Sequence, residues 1–300
     1  MVTIIIPCYN YARFLPAAIE SALSQRGMHG PIEVLIVDDG STDDTALIAA
    51  QYQEHVRYLH KANAGLSAAR NTGMEQAAYS LVFFLDADDM IAPNALRRLL
   101  ESWHKIAPSP AILAGRDLPV DADGKPLSSI ADLGSVSRVT ARSLVLRNRF
   151  APGVLADRHV LMGLGGFDPS LRASEDRDMW IRAAARHPVF MLDRVVLMKR
   201  DHGANMSRAA RQQTAAIEQV LAKAFANPEL RLNSNDRRLA RAVCLYQSAL
   251  MYSDAGEHHA AALQMLRSLQ GCPLGSLKDA GVPPFSRLRG LFGNWVKSLQ

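Results

Sequence analysis

Cysteine is scarce in this chain of 300 residues: the three, Cys8, Cys244 and Cys272, are scattered and form no C-x-x-C pair. That argues against a disulfide framework or a zinc site and points to reduced, packed thiols of a cytoplasmic protein. Long apolar runs are missing as well. No window approaches the roughly 18 uncharged apolar residues of a transmembrane helix, so none is expected. The opening MVTIIIPCYN carries no basic segment ahead of a small-residue cleavage site, so no signal peptide is expected. Several catalytic signatures are also absent. There is no G-x-G-x-x-G after the first predicted strand, no G-x-x-x-x-G-K-S/T and no G-x-S-x-G elbow, and His187 and His202 lack the spacing of zinc ligands. Dinucleotide and P-loop readings therefore lose their specific support.

What is present can bury a substantial core: 48% of the residues are apolar, enough for one or two globular domains. The net charge of +5 is unevenly placed. From Arg194 to Gln300 there are 15 Lys+Arg against 7 Asp+Glu, a surplus of 8, whereas the residues up to Asp193 have 19 against 22. A basic back half suits an anionic partner or surface, and equally an ordinary solvated helical face.

Val2 to Pro7 is a β-branched run ending at proline, which predicts a buried strand, and Leu15, Ala18, Ile19, Ala22 and Leu23 then recur at helical spacing. Ile32 to Val37 predicts a second strand ending at Asp38-Asp39-Gly40, with Ser41 or Thr42 placed to cap a helix that starts at Asp43 and Asp44. A third strand is predicted at Val56 to Leu59, a glycine-containing loop turning into a helix near Ser67 within Asn63 to Gly73, a fourth strand at Leu81 to Leu85, and a helix at Pro93 to Trp103. Strands and helices alternating in this way predict an α/β domain with a mainly parallel sheet flanked by helices.

Beyond Trp103 the pattern loosens to a strand at Ala111 to Ala114, a polar loop at Asp121 to Leu133 and a short helix within Val139 to Asn148. A helix opening near Ser174, Glu175 and Asp176 and a short strand at Val195 to Met198 follow. From about Arg208 an Ala-, Leu- and Arg-rich stretch predicts a C-terminal helical appendage. The expected division is 1–207, with halves 1–103 and 104–207, and then 208–300. The last segment, PPFSRLRGLFGNWVKSLQ, is a basic amphipathic helix, able to lie on an anionic membrane or to dock on its own domain.

The stretch LVFFLDADDM, Leu81 to Met90, is where chemistry concentrates. An apolar run ends in Asp86, Asp88 and Asp89 at the carboxyl end of a predicted strand, the rim where α/β sheets hold ligands. Carboxylates that close repel one another unless water, a cation or protonation intervenes. Mg²⁺ or Mn²⁺ takes oxygen ligands and shares them with phosphates, whereas a solvated turn with an Asp cap needs no ion. Both readings stand at this point. Asp39, after another buried strand, can accept from a ring N–H such as the imide of uracil. Arg70 and the backbone N–H groups of the Asn63 loop can face phosphate oxygens. The Glu175-Asp176 pair supplies a candidate general base. Together these describe group transfer from a nucleotide-activated donor.

Five stretches in order, VTIIIPCYN, IVDDGSTDDT, NAGLSAARNTG, FLDADD and GGFDPSLRASEDRDMWIRAA, resemble the family 2 glycosyltransferases. The resemblance covers roughly Met1 to Ser207. It implies a GT-A-like, Rossmann-type fold, a nucleotide-diphosphate sugar donor, a divalent metal (Mn²⁺ or Mg²⁺) and inverting transfer of the hexosyltransferase class. Carried to these positions, it implies that Pro7 and Tyr9 border the nucleotide, that Asp39 contacts the base with Asp38 in support, and that Arg70 lies near the nucleotide. Asp86 and Asp88 match the DxD pair, Asp88 as metal ligand and Asp86 toward ribose or metal. Asp176 resembles the general base, with Glu175 and Trp180 on the acceptor side; Trp180 and Arg182 match the family's helix pattern, and His202 resembles a late histidine near the diphosphate or metal.

The implied partners are the sugar nucleotide and a glycan or lipid-linked acceptor, with no nucleic acid. A peripheral place at the inner membrane face, in surface polysaccharide synthesis, and a homodimer through the helical tail are further expectations. The alternatives are a nucleotidyltransferase, which needs a glycine- and arginine-rich loop where PCYNYARFL stands, and a non-catalytic sugar-nucleotide or glycan-binding module, which has no need of both Asp88 and Asp176.

Overall fold

The apolar runs of the front half become the centre of a sheet. The computed structural model describes residues 1–25, 30–107, 109–129, 133–148, 150, 153–202, 210–273, 282–283 and 285–298. In it β1 (Val2–Cys8) is buried along its whole length. It pairs in parallel with β2 (Ile32–Asp38) on one side and β4 (Leu81–Phe84) on the other, and β3 (Arg57–His60) extends β2 in parallel. The helices α1 (Leu15–Leu23), α2 (Thr45–Gln51) and α3 (Leu66–Gln76) connect these strands in the crossover pattern that parallel pairing requires. α3 lies tightly on β1: a Cβ added at Gly73 would come within 2.4 Å of Ile5 Cγ2, so glycine sets that approach.

The second half completes the sheet with mixed polarity. The elements are β5 (Met90–Ile91), α4 (Ala95–Lys105), β6 (Ile112–Val120), β7 (Val136–Val139), α5 (Ala141–Leu146), β8 (Val154–Asp157), α6 (Arg158–Gly163), α7 (Glu175–Arg186) and β9 (Val189–Arg200). The strand order is β3-β2-β1-β4-β8-β6-β9-β5, with β7 paired to β9. β8 runs antiparallel to both β4 and β6, while β6 and β9 are parallel. The parallel character read from the sequence thus belongs to β3-β2-β1-β4 and to β6-β9. β6 is nine residues long and β9 twelve, both longer than the short apolar cores that marked them. The half-buried positions in β9 dilute its hydrophobic signal.

One predicted cap is corrected. α2 begins at Thr45, and neither Ser41 nor Thr42 caps it. Asp43 Oδ1 instead accepts from both the backbone N–H and the hydroxyl of Thr45, at 3.1 and 2.5 Å. Ser41 N donates to Asp38 Oδ1 at 2.8 Å, and Ser41 Oγ accepts from Asn10 N at 2.9 Å instead of capping the helix. Burial pushes the Asp43 carboxyl up, but hydrogen bonds from Thr45 and Ala12 outweigh it and hold it below its ordinary value.

The chain divides into two compact units that interleave in sequence. Unit 1 holds Met1–Val139, Phe150–Ser170 and Arg182–His202; unit 2 holds Thr140–Arg149, Leu171–Ile181 and Gly203–Gln300. The whole sheet lies in unit 1. Unit 2 contains the tail helices α8 (Ala210–Ala226), α9 (Ser234–Asp254), α10 (His258–Gly271) and α11 (Ser286–Ser298), with a 3-10 turn at Pro228–Leu230. α9 opens on a capping box in which Asn233 and Asp236 satisfy each other's backbone N–H groups. Ser268 Oγ on α10 donates to the Ala242 carbonyl on α9 at 2.6 Å and ties the two helices together. The expected 207/208 boundary and the ANMS stretch after Gly203 lie outside the described residues. No helix among the described residues is long and apolar enough to cross a membrane.

Candidate functional site

Parallel pairing brings the carboxyl ends of β2, β1 and β4 to one rim of unit 1. Asp39 N donates to the Cys8 carbonyl at 2.9 Å, Lys61 N to the Asp38 carbonyl at 2.9 Å, and Leu85 N to the Ile5 carbonyl at 3.0 Å. Pro7 is buried in β1, and Tyr9, just past its end, is 47% exposed. Asp38 is buried and supports the strand end through Ser41 N and the Tyr58 hydroxyl, which donates to Oδ2 at 2.5 Å.

Asp39 is also buried, and its carboxylate collects the loop that opens α3. Oδ1 accepts from Lys61 Nζ at 2.5 Å and Ala64 N at 3.0 Å, and Oδ2 from Gly65 N at 2.7 Å. The N–H groups of Ala64 and Gly65, expected to face phosphate, are thus engaged by the chain's own anion. The reason is general: the start of a helix attracts negative charge, and Asp39 supplies it. Gly65 adopts φ +92°, a left-handed value that favours glycine there. With three bonds accepted, the Asp39 carboxylate keeps capacity for one more donor.

The corner that follows β4 gathers more than the DxD pair. Asp86, Asp88 and Asp89 each place one carboxylate oxygen within 4.8 Å of the others. Asp89 N closes the turn onto the Asp86 carbonyl at 3.0 Å. Burial, then repulsion from Asp86, raises the Asp88 carboxyl, against a hydrogen bond from His202. Burial, then repulsion from Asp88 and Asp86, raises Asp89 well above its ordinary value. Tyr11 is pushed up to about 12 by burial and by Asp88, Asp86 and Asp89 in turn. Three crowded oxygen donors, two of which (Asp88 and Asp89) have their ionised forms held at a disadvantage, fit a hard divalent cation. The donor set contains no sulfur.

Two nitrogen-bearing side chains, Arg70 and His202, flank the corner. Arg70, 3% exposed, donates to Asp86 Oδ1 at 2.7 Å and lies over the Phe167 ring at 5.4 Å. His202 Nε2 meets Asp88 Oδ2 at 3.1 Å, and its ring stacks on Phe14 at 4.6 Å, with Tyr11 edge-on at 6.0 Å. His202 therefore reaches the trio through Asp88. Arg200, which no local pattern singles out, is buried and holds the corner through the acids' backbone. Its Nε donates to the Asp88 carbonyl at 2.9 Å and Nη1 to the Ala122 carbonyl, while its backbone N–H donates to Asp89 Oδ1 at 2.8 Å. Asp89 was equally easy to take for a plain turn residue. The signal for both lies 111 residues apart in the chain, beyond the reach of local pattern.

Unit 2 carries the other acids. At the start of α7, Glu175 is buried, and Asp176 accepts from Asn148 Nδ2 at 3.3 Å and from Arg177 N at 2.6 Å. Asp178 is buried and paired with Lys223 at 2.8 Å. Arg177 is buried, donating to the carbonyls of Leu144 and Val145 at 3.1 and 2.8 Å, and so fixes α7 against the end of α5. Trp180, expected on the acceptor side, is 1% exposed and serves as a core side chain. Arg182, in unit 1, donates to the carbonyls of Leu164 and Gly166, both at 2.8 Å, and shapes the glycine turn before α7.

The profile of the family described as Glycosyl transferase family 2 matches residues 3–126. An uncharacterized glycosyltransferase of Nostoc sp. is 33% identical over 232 residues, covering 72% of this chain and 70% of that protein. The chain belongs to the family 2 glycosyltransferases. The chondroitin synthase of Escherichia coli is 29% identical over 210 residues, 69% of this chain and 30% of that protein. Among solved structures, residues 1–349 of Staphylococcus aureus TarS in complex with UDP-GlcNAc align with a TM-score of 0.65 at 17% identity, covering 99% of this chain and 88% of that one. The mannosyltransferase PcManGT of Pyrobaculum calidifontis, in complex with GDP-Man and Mn²⁺, aligns with a TM-score of 0.62 at 19% identity, covering 99% and 86%. These likenesses establish the GT-A fold.

Proposed function

We propose that this glycosyltransferase is metal-dependent and inverting, and moves a sugar from a nucleotide-diphosphate donor, UDP-linked, to a hydroxyl of a glycan or lipid-linked acceptor in surface polysaccharide synthesis. The observation that carries the reading is the crowded trio Asp86, Asp88 and Asp89, the first two half-buried and the third buried, at the carboxyl rim of the parallel strands. Asp88 and Asp86 are the residues that would hold Mn²⁺ or Mg²⁺, with Asp89 beside them. When bound, such an ion neutralises negative charge on the departing diphosphate. His202 and Arg200 keep Asp88 in position from its side chain and its carbonyl. Asp39 offers its remaining lone pair to the base N–H, and Pro7 and Tyr9 border that base.

Asp176 is the proposed general base. Among the described residues, its hydrogen-bond partners are the Asn148 amide and the Arg177 backbone N–H. In the transfer, the acceptor oxygen forms the new bond to the anomeric carbon as its proton passes to Asp176. The bond from that carbon to the diphosphate oxygen breaks, and the nucleoside diphosphate leaves with the electron pair. Attack from the face opposite the leaving group inverts the anomeric centre. A cytoplasmic enzyme of this kind meets a lipid-linked acceptor at the inner face of the membrane.

The test is release of nucleoside diphosphate from a panel of sugar nucleotides, with Mn²⁺, with Mg²⁺ and with EDTA. Release from a UDP-sugar that requires the metal supports the proposal. Binding without turnover identifies a sugar-nucleotide-binding module, and pyrophosphate as product identifies a nucleotidyltransferase.

A further inference from the structure

α11 docks by a face that buries an arginine and an asparagine. On a helix of 3.6 residues per turn, Arg287, Gly290 and Asn294 share one face, and this is the face turned to α10. Arg287 is 3% exposed, its Nη1 donating to the carbonyls of Ser268 at 2.9 Å and Cys272 at 2.6 Å. Asn294 is 6% exposed and pairs with His258 Nδ1 at 3.0 Å. Gly290 lets Met265 approach: an added Cβ would meet Met265 Cε at 2.6 Å. The polar and small side is thus held by specific partners.

The opposite face carries Leu288, Phe292, Trp295 and Val296, with Phe285 just before the helix. Their exposures are 41%, 66%, 55% and 39%, and 62% for Phe285. Phe292 and Trp295 stand side by side, ring centroids 6.5 Å apart. Apolar area left in water forgoes about 25 cal/mol per Å², and a surface helix ordinarily turns such a stripe inward. The charges on the helix identify what can cover it. Ser286–Ser298 contains no acidic residue, Arg289 is exposed next to Phe292, and Lys297 is exposed on the flank between the stripe and the docked face. A second copy meeting this face symmetrically would bring like charges together with no carboxylate on the helix to answer them. An anionic bilayer answers both features: its headgroups pair with Arg289 and Lys297, and its hydrocarbon edge takes Leu288, Phe292, Trp295 and Val296.

We infer that α11 is a membrane-docking helix that lies in the interface of an anionic bilayer, anchored to the protein through Arg287, Gly290 and Asn294. The inference stands on α11 itself; only its use in presenting a lipid-linked acceptor rests on the proposed function.

The experiment is co-sedimentation of the full chain with vesicles of equimolar phosphatidylcholine and phosphatidylglycerol, and with phosphatidylcholine alone, without donor or acceptor. The wild type binds the anionic vesicles, more weakly at high salt and on phosphatidylcholine alone. Phe292→Ser with Trp295→Ser, both at exposed positions, lowers binding at least about tenfold while the circular dichroism spectrum is kept. Arg289→Gln with Lys297→Gln lowers binding to anionic vesicles only. Absence of wild-type binding, or equal binding by the Phe292/Trp295 variant, overturns the inference. Failure to bind vesicles combined with a dimer that the same variant dissolves overturns it in favour of a second copy. Because no sugar transfer is scored, a failure of the proposed reaction leaves this result readable on its own.

Discussion

The acidic groups at the end of β4 and at the start of α7 differ in what each carboxylate faces. In unit 1, Asp86, Asp88 and Asp89 turn oxygens toward one another, and burial with mutual repulsion raises the latter two. In unit 2, Asp176 and Asp178 have separate partners, Asn148 and Lys223. Crowded acids are a standing cost to the protein alone and an asset once a cation is bound. Acids held apart on separate partners do not crowd one another in this way. The same residue type is thus arranged for two chemistries, and each arrangement can be attacked separately.

The largest effect is expected from Asp176→Asn. It should lower sugar transfer by about 10²–10⁴-fold while nucleotide binding persists. Steady-state transfer alongside calorimetry checks this, and near-normal transfer would remove Asp176 from the mechanism. Next comes Arg70→Met, which strands Asp86 beside two other carboxylates. Stability should fall by about 3 kcal/mol by urea unfolding, toward the low end for breaking a buried pair because Asp86 is partly exposed.

The most discriminating pair is smaller. Asp89 is raised above its unfolded value, so its penalty on folding is present at neutral pH and vanishes as pH falls below that unfolded value, about 4. Asp89→Asn, whose amide oxygen can still accept from Arg200 N, should therefore raise Tm in EDTA at neutral pH, with the gain fading toward that acid limit. Asp178→Asn should do the reverse and lower stability by about 1 kcal/mol, since Lys223 is exposed enough to be rehydrated. Equal signs for the two substitutions would erase the distinction between the clusters.

Much of unit 1 was legible because β1, β2 and β4 are continuous apolar runs that end in acids, and parallel pairing then aligns those ends on one rim. β8 was not, since four residues, VLAD, carry too little pattern to reveal a strand inserted antiparallel between β4 and β6. Asp86, Asp88 and Asp176 stood out through motif order, whereas Arg200 and Arg177 act through backbone carbonyls far away in sequence and leave no local trace. The amphipathic character of α11 was plain, but amphipathicity does not say which face docks. That depended on Arg287 and Asn294 finding partners on α10 and in the turn after it.

The measurement that bears most directly on the metal corner is calorimetric titration of UDP into the wild type and Asp88→Ala, each with Mn²⁺ and with EDTA. Binding by the wild type should tighten when Mn²⁺ is present, and Asp88→Ala should bind UDP alike in both conditions. Retention of the full Mn²⁺ dependence by Asp88→Ala would contradict the assignment of this corner to the metal.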